Sequence, residues 1–166
     1  MREILFKAKR KDNGKWVEGH LFDNGFDGKE KRYFVGTFII EKYNGTACDK
    51  WNATGIYFYE IDPKTLCQFT GLTDKNGKKI WENDILMCRG NPVELVRATF
   101  GEFGVTDLET ETVTDEVIGW HYEVIYTDEL SRTEPFCYSM PLTKEYITRL
   151  EMEVVDNPEL LQEERK

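Results

Sequence analysis

The chain has 166 residues and a mass of 19.5 kDa, enough for one ordinary domain or two small ones, with a core that needs no metal or disulfide staple. Its composition is 40% apolar and 32% charged, which excludes a disordered or fibrous chain, and its longest apolar run, Tyr33 to Ile40, is far too short to span a bilayer. The net charge of −9 opposes long-range attraction to nucleic acid, and two His and two Ser leave little material for nucleophilic or general-base chemistry.

The elements read in chain order as strands. Val, Ile, Thr, Phe, Tyr and Trp number 57 while Ala numbers four, a bias toward pleated sheet over helix. Ile4 to Lys9 and Trp16 to Phe22 flank Asn13-Gly14, the first of four Asn-Gly steps; the others are Asn24-Gly25, Asn44-Gly45 and Asn76-Gly77. Asn and Gly tolerate the positive φ of a two-residue hairpin turn, so these steps predict hairpins. Arg32 to Glu41 and Gly55 to Ile61 are the next two strands. Asp62-Pro63 then breaks the pattern, because proline lacks a backbone donor and restricts the residue before it. That step is the expected subdivision of a single 1–166 unit into 1–61 and 62–166.

Thr65 to Thr70 resumes as a strand, followed by a polar hairpin tip, Asp74 to Lys79, with Ile80-Trp81 and Ile85 to Cys88 as its return arm. Val93 to Phe100 and Val117 to Tyr126 are further strands. Near the end, Asn157 as a cap, Pro158 at the first helical position and Glu159 beside the helix dipole predict a short helix to about Glu163. A weaker signal places another around Thr143 to Thr148. Alternating apolar positions predict that Trp16, Phe38, Tyr57, Phe69, Ile85 and Trp120 are buried.

Three segments of this sequence carry a family resemblance. Glu3-Ile4-Leu5-Phe6-Lys7-Ala8-Lys9-Arg10 with Asn13-Gly14-Lys15-Trp16-Val17-Glu18-Gly19 forms the opening. Gln68-Phe69-Thr70-Gly71-Leu72-Thr73-Asp74-Lys75-Asn76-Gly77-Lys78-Lys79-Ile80-Trp81-Glu82-Asn83-Asp84-Ile85 forms the centre, and Asn157-Pro158-Glu159-Leu160-Leu161 the close. Together they resemble the YopX family of phage and prophage proteins. Asn83 stands where that pattern has Gly, and Trp81 where it has Tyr. The resemblance implies a phage-encoded, cytoplasmic, mainly β protein of antiparallel strands and hairpins, with a small SH3-like barrel in its second half. It implies no catalytic residues, since the family has no established activity.

The search for chemistry returns little. Ser131 and Ser139 lie in no G-x-S-x-G, His20 and His121 stand 101 positions apart, and phosphate-cradle motifs are missing. Cys48, Cys67, Cys88 and Cys137 have no C-x-x-C spacing, so no zinc or redox site follows, and reduced thiols are expected. Asp107, Glu109 and Glu111 would share one face if 107–111 were a strand, and could then hold a hard cation, although a solvated strand explains them as well. The expectation is therefore no catalytic centre, no cofactor and no metal.

Three binding readings remain. The first is a non-catalytic binding or assembly module acting through protein contacts, including self-association through Tyr57 or Tyr59 in the aromatic run Gly55 to Ile61. The second is nucleic-acid association through Lys7, Lys9, Arg10, Lys11, Lys15 and Trp16, within the basic segment 7–32. A charged edge strand guarding against unwanted sheet pairing explains the same lysines structurally. The third is an acidic decoy of a host DNA-binding enzyme, from residues 102–134, which hold ten acids and one base.

Overall fold

The computed structural model describes residues 3–42, 51–107, 109–110, 112–125 and 139–155. The protein is mainly β; among the described residues there are two antiparallel sheets and one short α-helix near the C-terminus. It forms two compact units, Met1–Phe69 and Thr70–Lys166.

The first unit holds β1 (Phe6–Lys9), β2 (Trp16–Asp23), β3 (Tyr33–Lys42), β4 (Trp51–Glu60) and the start of β5 (Cys67–Thr73). Its strand order is β4-β3-β2-β1-β5. The Asn13-Gly14 step makes the first hairpin as expected, with Gly14 at φ 69° and its N–H donating to the Arg10 carbonyl at 2.9 Å. The sheet curls into a half-barrel, because an isolated bridge between Arg10 and Ile61 ties the end of β1 to the chain just beyond β4. Lys11 N–H donates to the Glu60 carbonyl at 3.0 Å, and Asp62 N–H to the Lys9 carbonyl at 2.9 Å. The core inside this curl is small: Ala8, Val35 and Ile61 are fully buried, with Phe6, Val17, Leu21, Tyr33 and Leu66 packed around them.

The second unit adds β6 (Lys79–Trp81), β7 (Ile85–Cys88), β8 (Asn91–Asp107), β9 (Thr112–Ile125), β10 (Met140–Pro141), α1 (Lys144–Arg149) and β11 (Glu153–Val155). Its sheet runs β10-β9-β8-β7-β11 and is dominated by the long β8–β9 hairpin. Its core is larger. Leu86, Cys88, Val96, Ala98 and Met152 are among its fully buried members, and Ile147 of α1 closes over them.

The helix is the weaker of the two expected: Thr143 caps it through its hydroxyl, which accepts from Tyr146 N–H at 3.2 Å. The expected helix from Pro158, the Asn44-Gly45 turn, Cys48, Cys137 and Glu111 lie outside the described residues. Of the six expected core residues, Phe69 and Ile85 are buried and Trp120 is half-buried. The other three are corrected: Trp16 is 52% exposed, Phe38 44% and Tyr57 54%. Alternation identifies which residues share a face but not which face is covered. In this curled sheet Trp16 and Phe38 belong to the open side, and Tyr57 lies along β4 away from the end that the Arg10–Ile61 bridge closes.

Candidate interaction surface

The registers of the first unit sort its residues onto two faces. Lys9 opposes Trp16, Phe22 opposes Phe34, Gly36 opposes Phe58, and Phe38 opposes Ile56. Directly opposed residues of an antiparallel pair point to the same side, and successive residues of a strand to opposite sides. One side therefore carries Ala8, Val35 and Ile61, the core. The other carries Trp16, Phe22, Phe34, Phe38, Ile56 and Phe58, and four of these six are among the exposed large apolar residues.

The aromatic rings on this outer face hold one another in place. Phe22 and Phe38 meet edge-on at 5.8 Å between centroids, and Phe34 and Phe58 at 5.4 Å. Such pairs are worth about 0.5–1.5 kcal/mol beyond their burial. Gly36 makes the second pair possible: a Cβ there would lie 2.0 Å from the Tyr57 carbonyl oxygen and 2.6 Å from the Phe58 Cα. Only a residue without a side chain lets β4 come this close.

β4 is the terminal strand of its sheet in the described order. Its middle is exposed on both faces, with Ile56 and Phe58 each 52% exposed on the outer one and Tyr57 on the inner one. Ile61 N–H donates to the Tyr33 carbonyl, so Ile61 faces β3 with its backbone groups. By the alternation of an antiparallel ladder, Tyr59 and Tyr57 also face β3, while Glu60, Phe58 and Ile56 turn their N–H and C=O groups outward. Lys11 takes up the Glu60 carbonyl. Among the described residues, no partner is found for the outward groups of Phe58 and Ile56.

The structure divides the basic cluster rather than uniting it. Lys7 and Lys9 lie on the outer face with their ammonium nitrogens 5.3 and 5.5 Å from the Trp16 ring centroid. Arg10 turns to the other side, where it pairs with Asp12 and stacks 3.5 Å above the Tyr59 ring. The hydrogen bond from Arg10 holds the Asp12 carboxyl below the ordinary carboxylate range. Lys11 donates to Glu60 at 2.7 Å, and Lys15 is exposed. Tyr59 donates a hydrogen bond to Tyr57, their rings 4.9 Å apart and nearly perpendicular, so the two expected contact residues form one stack with Arg10.

The remaining candidates are structural. His20 is exposed on the outer face, whereas His121 is buried, stacked 4.5 Å from Phe103, with Nε2 3.6 Å from Glu123 Oε1. Asp107 does not share a strand face with Glu109, because the strand ends at Asp107 and its carboxylate accepts from Glu109 and Thr110 N–H groups at 2.8 and 3.0 Å. That turn takes away the shared strand face on which these acids could have held a cation, and among the described residues no group of acids, His and Cys is arranged to hold a metal. The Cys88 thiol is buried and pushed up to about 12, chiefly by desolvation and then by the charge of Glu94, which makes it inert. Among the described residues no helix is long and apolar enough to cross a membrane.

The hairpin tip of the central segment holds a feature the sequence does not announce. Asp74 is only 6% exposed. Its Oδ1 accepts from Asn76 N–H at 2.8 Å and Lys78 N–H at 2.9 Å, and its Oδ2 from Val154 N–H at 3.0 Å. Burial would raise this carboxyl, but the three backbone donors and the Lys78 charge outweigh it and hold the carboxyl low. The tip is a clamp onto β11, not a free loop.

The model of a family described as YopX protein matches residues 5–162, nearly the whole chain. No curated protein matches it.

Proposed function

The chain belongs to the YopX family, and from that premise we propose that it is a non-catalytic binding or assembly module working through protein contacts of its first unit. One observation carries this reading: six large apolar residues on the outer face and edge of one small sheet, with Trp16, Phe38, Ile56 and Phe58 about half exposed. Contiguous apolar surface of this kind costs solubility and marks interaction sites. We take the protein to be a phage or prophage product acting in the host cytoplasm, without a cofactor.

The test is affinity capture from host lysate with the natural chain and with Phe38→Glu and Trp16→Glu baits. A protein retained by the natural chain and lost with both variants supports the reading. Equal retention by all three baits, or a reproducible turnover of a small molecule abolished by a point substitution, overturns it.

A second reading, single-stranded nucleic acid, rests on Lys7 and Lys9 beside Trp16. Stacking platforms flanked by cations suit bases and phosphates. It is the weaker one because Arg10 and Lys11 are engaged by Asp12 and Glu60. Binding that falls steeply with salt and is lost on Lys9→Glu supports it. The acidic decoy keeps only the exposure of Glu102, Asp107, Glu109, Asp115 and Glu116 in its favour.

A further inference from the structure

We infer that the occupant of the β4 edge is a second copy of this chain, joined by antiparallel pairing of β4 with β4 of the partner about a two-fold axis at Tyr57. The inference rests on the reading that the first unit is a protein-contact surface, and goes on to name the partner and the register.

Natural edge strands are usually short, charged, bulged or covered. β4 spans ten residues, Trp51–Glu60, and has no charge from Gly55 to Tyr59. Its bulge lies in β4 itself, where Thr54 is the extra residue between Gly55, opposite Ile39, and Ala53, opposite Ile40; it precedes the aromatic run, so Gly55–Glu60 is regular strand. Lys7 and Lys9 lie on β1, between β2 and β5 inside the sheet, and guard no edge, while Lys11 covers only the Glu60 end of β4.

The outward backbone groups that have no partner among the described residues choose the register. Ile56 and Phe58 of each copy present an outward N–H and C=O, while the Glu60 carbonyl is already taken by Lys11. Pairing that uses both free residues on both copies, and stops short of Glu60, sets Ile56 opposite the partner's Phe58 and Phe58 opposite the partner's Ile56. Each such pair exchanges two hydrogen bonds. Tyr57 then meets its own copy on the inner side as a pair whose Cα atoms lie about 4.5 Å apart. Shifting the axis one residue toward the C-terminus would set Glu60 opposite Ile56, a carboxylate against an apolar side chain.

A two-fold axis needs a self-complementary patch. The aliphatic–aromatic pairing of Ile56 with Phe58 is one, since exchanging the copies reproduces it. The apolar side chains that β4 brings to this edge are Ile56, Tyr57 and Phe58, each roughly half exposed. Covering the remaining surface of such side chains removes roughly 100 Å² apiece, so the pair buries about 600 Å² of side-chain surface in total, the size of a weak interface. Main-chain pairing adds to that area. The result is a dimer with a dissociation constant in the micromolar range.

Sedimentation and light scattering across low to high micromolar concentration read the outcome. The natural chain rises from 19.5 kDa toward twice that mass. Ile56→Pro deletes an outward N–H, which an edge strand tolerates in the monomer, and keeps the mass at 19.5 kDa with an unchanged circular dichroism spectrum. Ile56→Lys, which keeps the backbone donor, weakens the dimer at least about tenfold, as loss of a central apolar contact does. Tyr57→Cys gives an interchain disulfide through the new thiol on mild oxidation, mapped by peptide mass spectrometry, while Phe58→Cys does not, because its own copy is out of reach. A natural chain that stays at 19.5 kDa at high micromolar concentration overturns the inference. So does a dimer that survives both Ile56 variants. Either outcome, combined with a host protein captured through Phe38 and Trp16, leaves the protein-contact reading standing.

Discussion

The two units are both antiparallel and both built from alternating strands, yet they divide their apolar residues between core and surface in different proportions, although Phe100, Val113 and Ile118 of the second also stay exposed. In the first, the fully buried members of the core are Ala8, Val35 and Ile61, while Trp16, Phe38, Ile56, Tyr57 and Phe58 stay about half exposed. In the second, eleven buried residues form one cluster, and Leu72, Trp120, Val124, Tyr146 and Val154 pack against it. Charge divides the same way. Residues 1–69 hold 12 Lys and Arg against 10 Asp and Glu, and 70–166 hold 10 against 21. A net charge near +2 with open aromatics suits contact; a net −11 around a filled core suits a solvated scaffold. The difference teaches that an amphipathic pattern defines a face, and that the supply of covering elements decides whether the face becomes core or surface.

Truncations break this comparison most sharply. Leu86→Ala, at a fully buried position of the second unit, is expected to cost about 3–4 kcal/mol, as transfer and cavity terms combine. Phe38→Ala, in the first unit, is expected to cost about 1 kcal/mol, chiefly its edge contact with Phe22. Urea unfolding of each variant measures both. Similar losses at the two positions would mean that the outer face is covered in solution.

The fold was largely legible, and the surface only in outline. Asn13-Gly14 and Asn76-Gly77 fixed two turns because positive φ is a local demand that the sequence states openly. Strand type followed from composition, since Tyr, Phe, Val and Ile pack well on a pleated surface. The aromatic run Gly55 to Ile61 was visible, but its place at the end of the sheet was not, because strand order depends on pairings between residues far apart in the chain. Trp16, Phe38 and Tyr57 read as core for the same reason: nothing local says whether a second layer arrives. Asp74 was hidden because its third donor, Val154, is 80 residues away.

The Asp74 clamp sharpens the account of the second unit. Asp74→Asn keeps an acceptor for Asn76 and Lys78 but sets an amide group against Val154 N–H, with an expected cost of about 2 kcal/mol. Asp12→Asn, at an exposed pair in the first unit, should leave stability essentially unchanged, because solvent screens the pair. The pH dependence has a fixed sign. Because the folded carboxyl of Asp74 lies below its unfolded value, the stability it contributes is present above about pH 4 and is lost as pH falls through the lower folded value. Stability measured across pH 2 to 5 should therefore fall with acid less steeply for Asp74→Asn than for the natural chain. Equal slopes would remove the clamp from the account.

The smallest effect concerns Asn83, the position where the family pattern led us to expect Gly. The structure supplies the reason the two residues interchange: Asn83 has φ 65°, in the left-handed region, at the turn between β6 and β7. Gly enters that region freely, Asn tolerates it, and a residue with an ordinary Cβ carries a penalty of about 1 kcal/mol. Asn83 N–H donates to the Ala98 carbonyl at 2.8 Å, while the Asp84 carboxylate accepts from Trp81 N–H at 2.8 Å, so the surrounding turn is held from both sides and cannot relax to another φ. Asn83→Gly should therefore unfold at the same denaturant concentration as the natural chain to within about 0.5 kcal/mol, and Asn83→Ala should be about 1 kcal/mol less stable. The ordering matters more than the sizes. On helix or strand propensity Ala is better than Gly, so an Ala variant at least as stable as the Gly variant would mean that φ at this turn is not fixed by its neighbours, and that the central segment is held by side-chain packing instead.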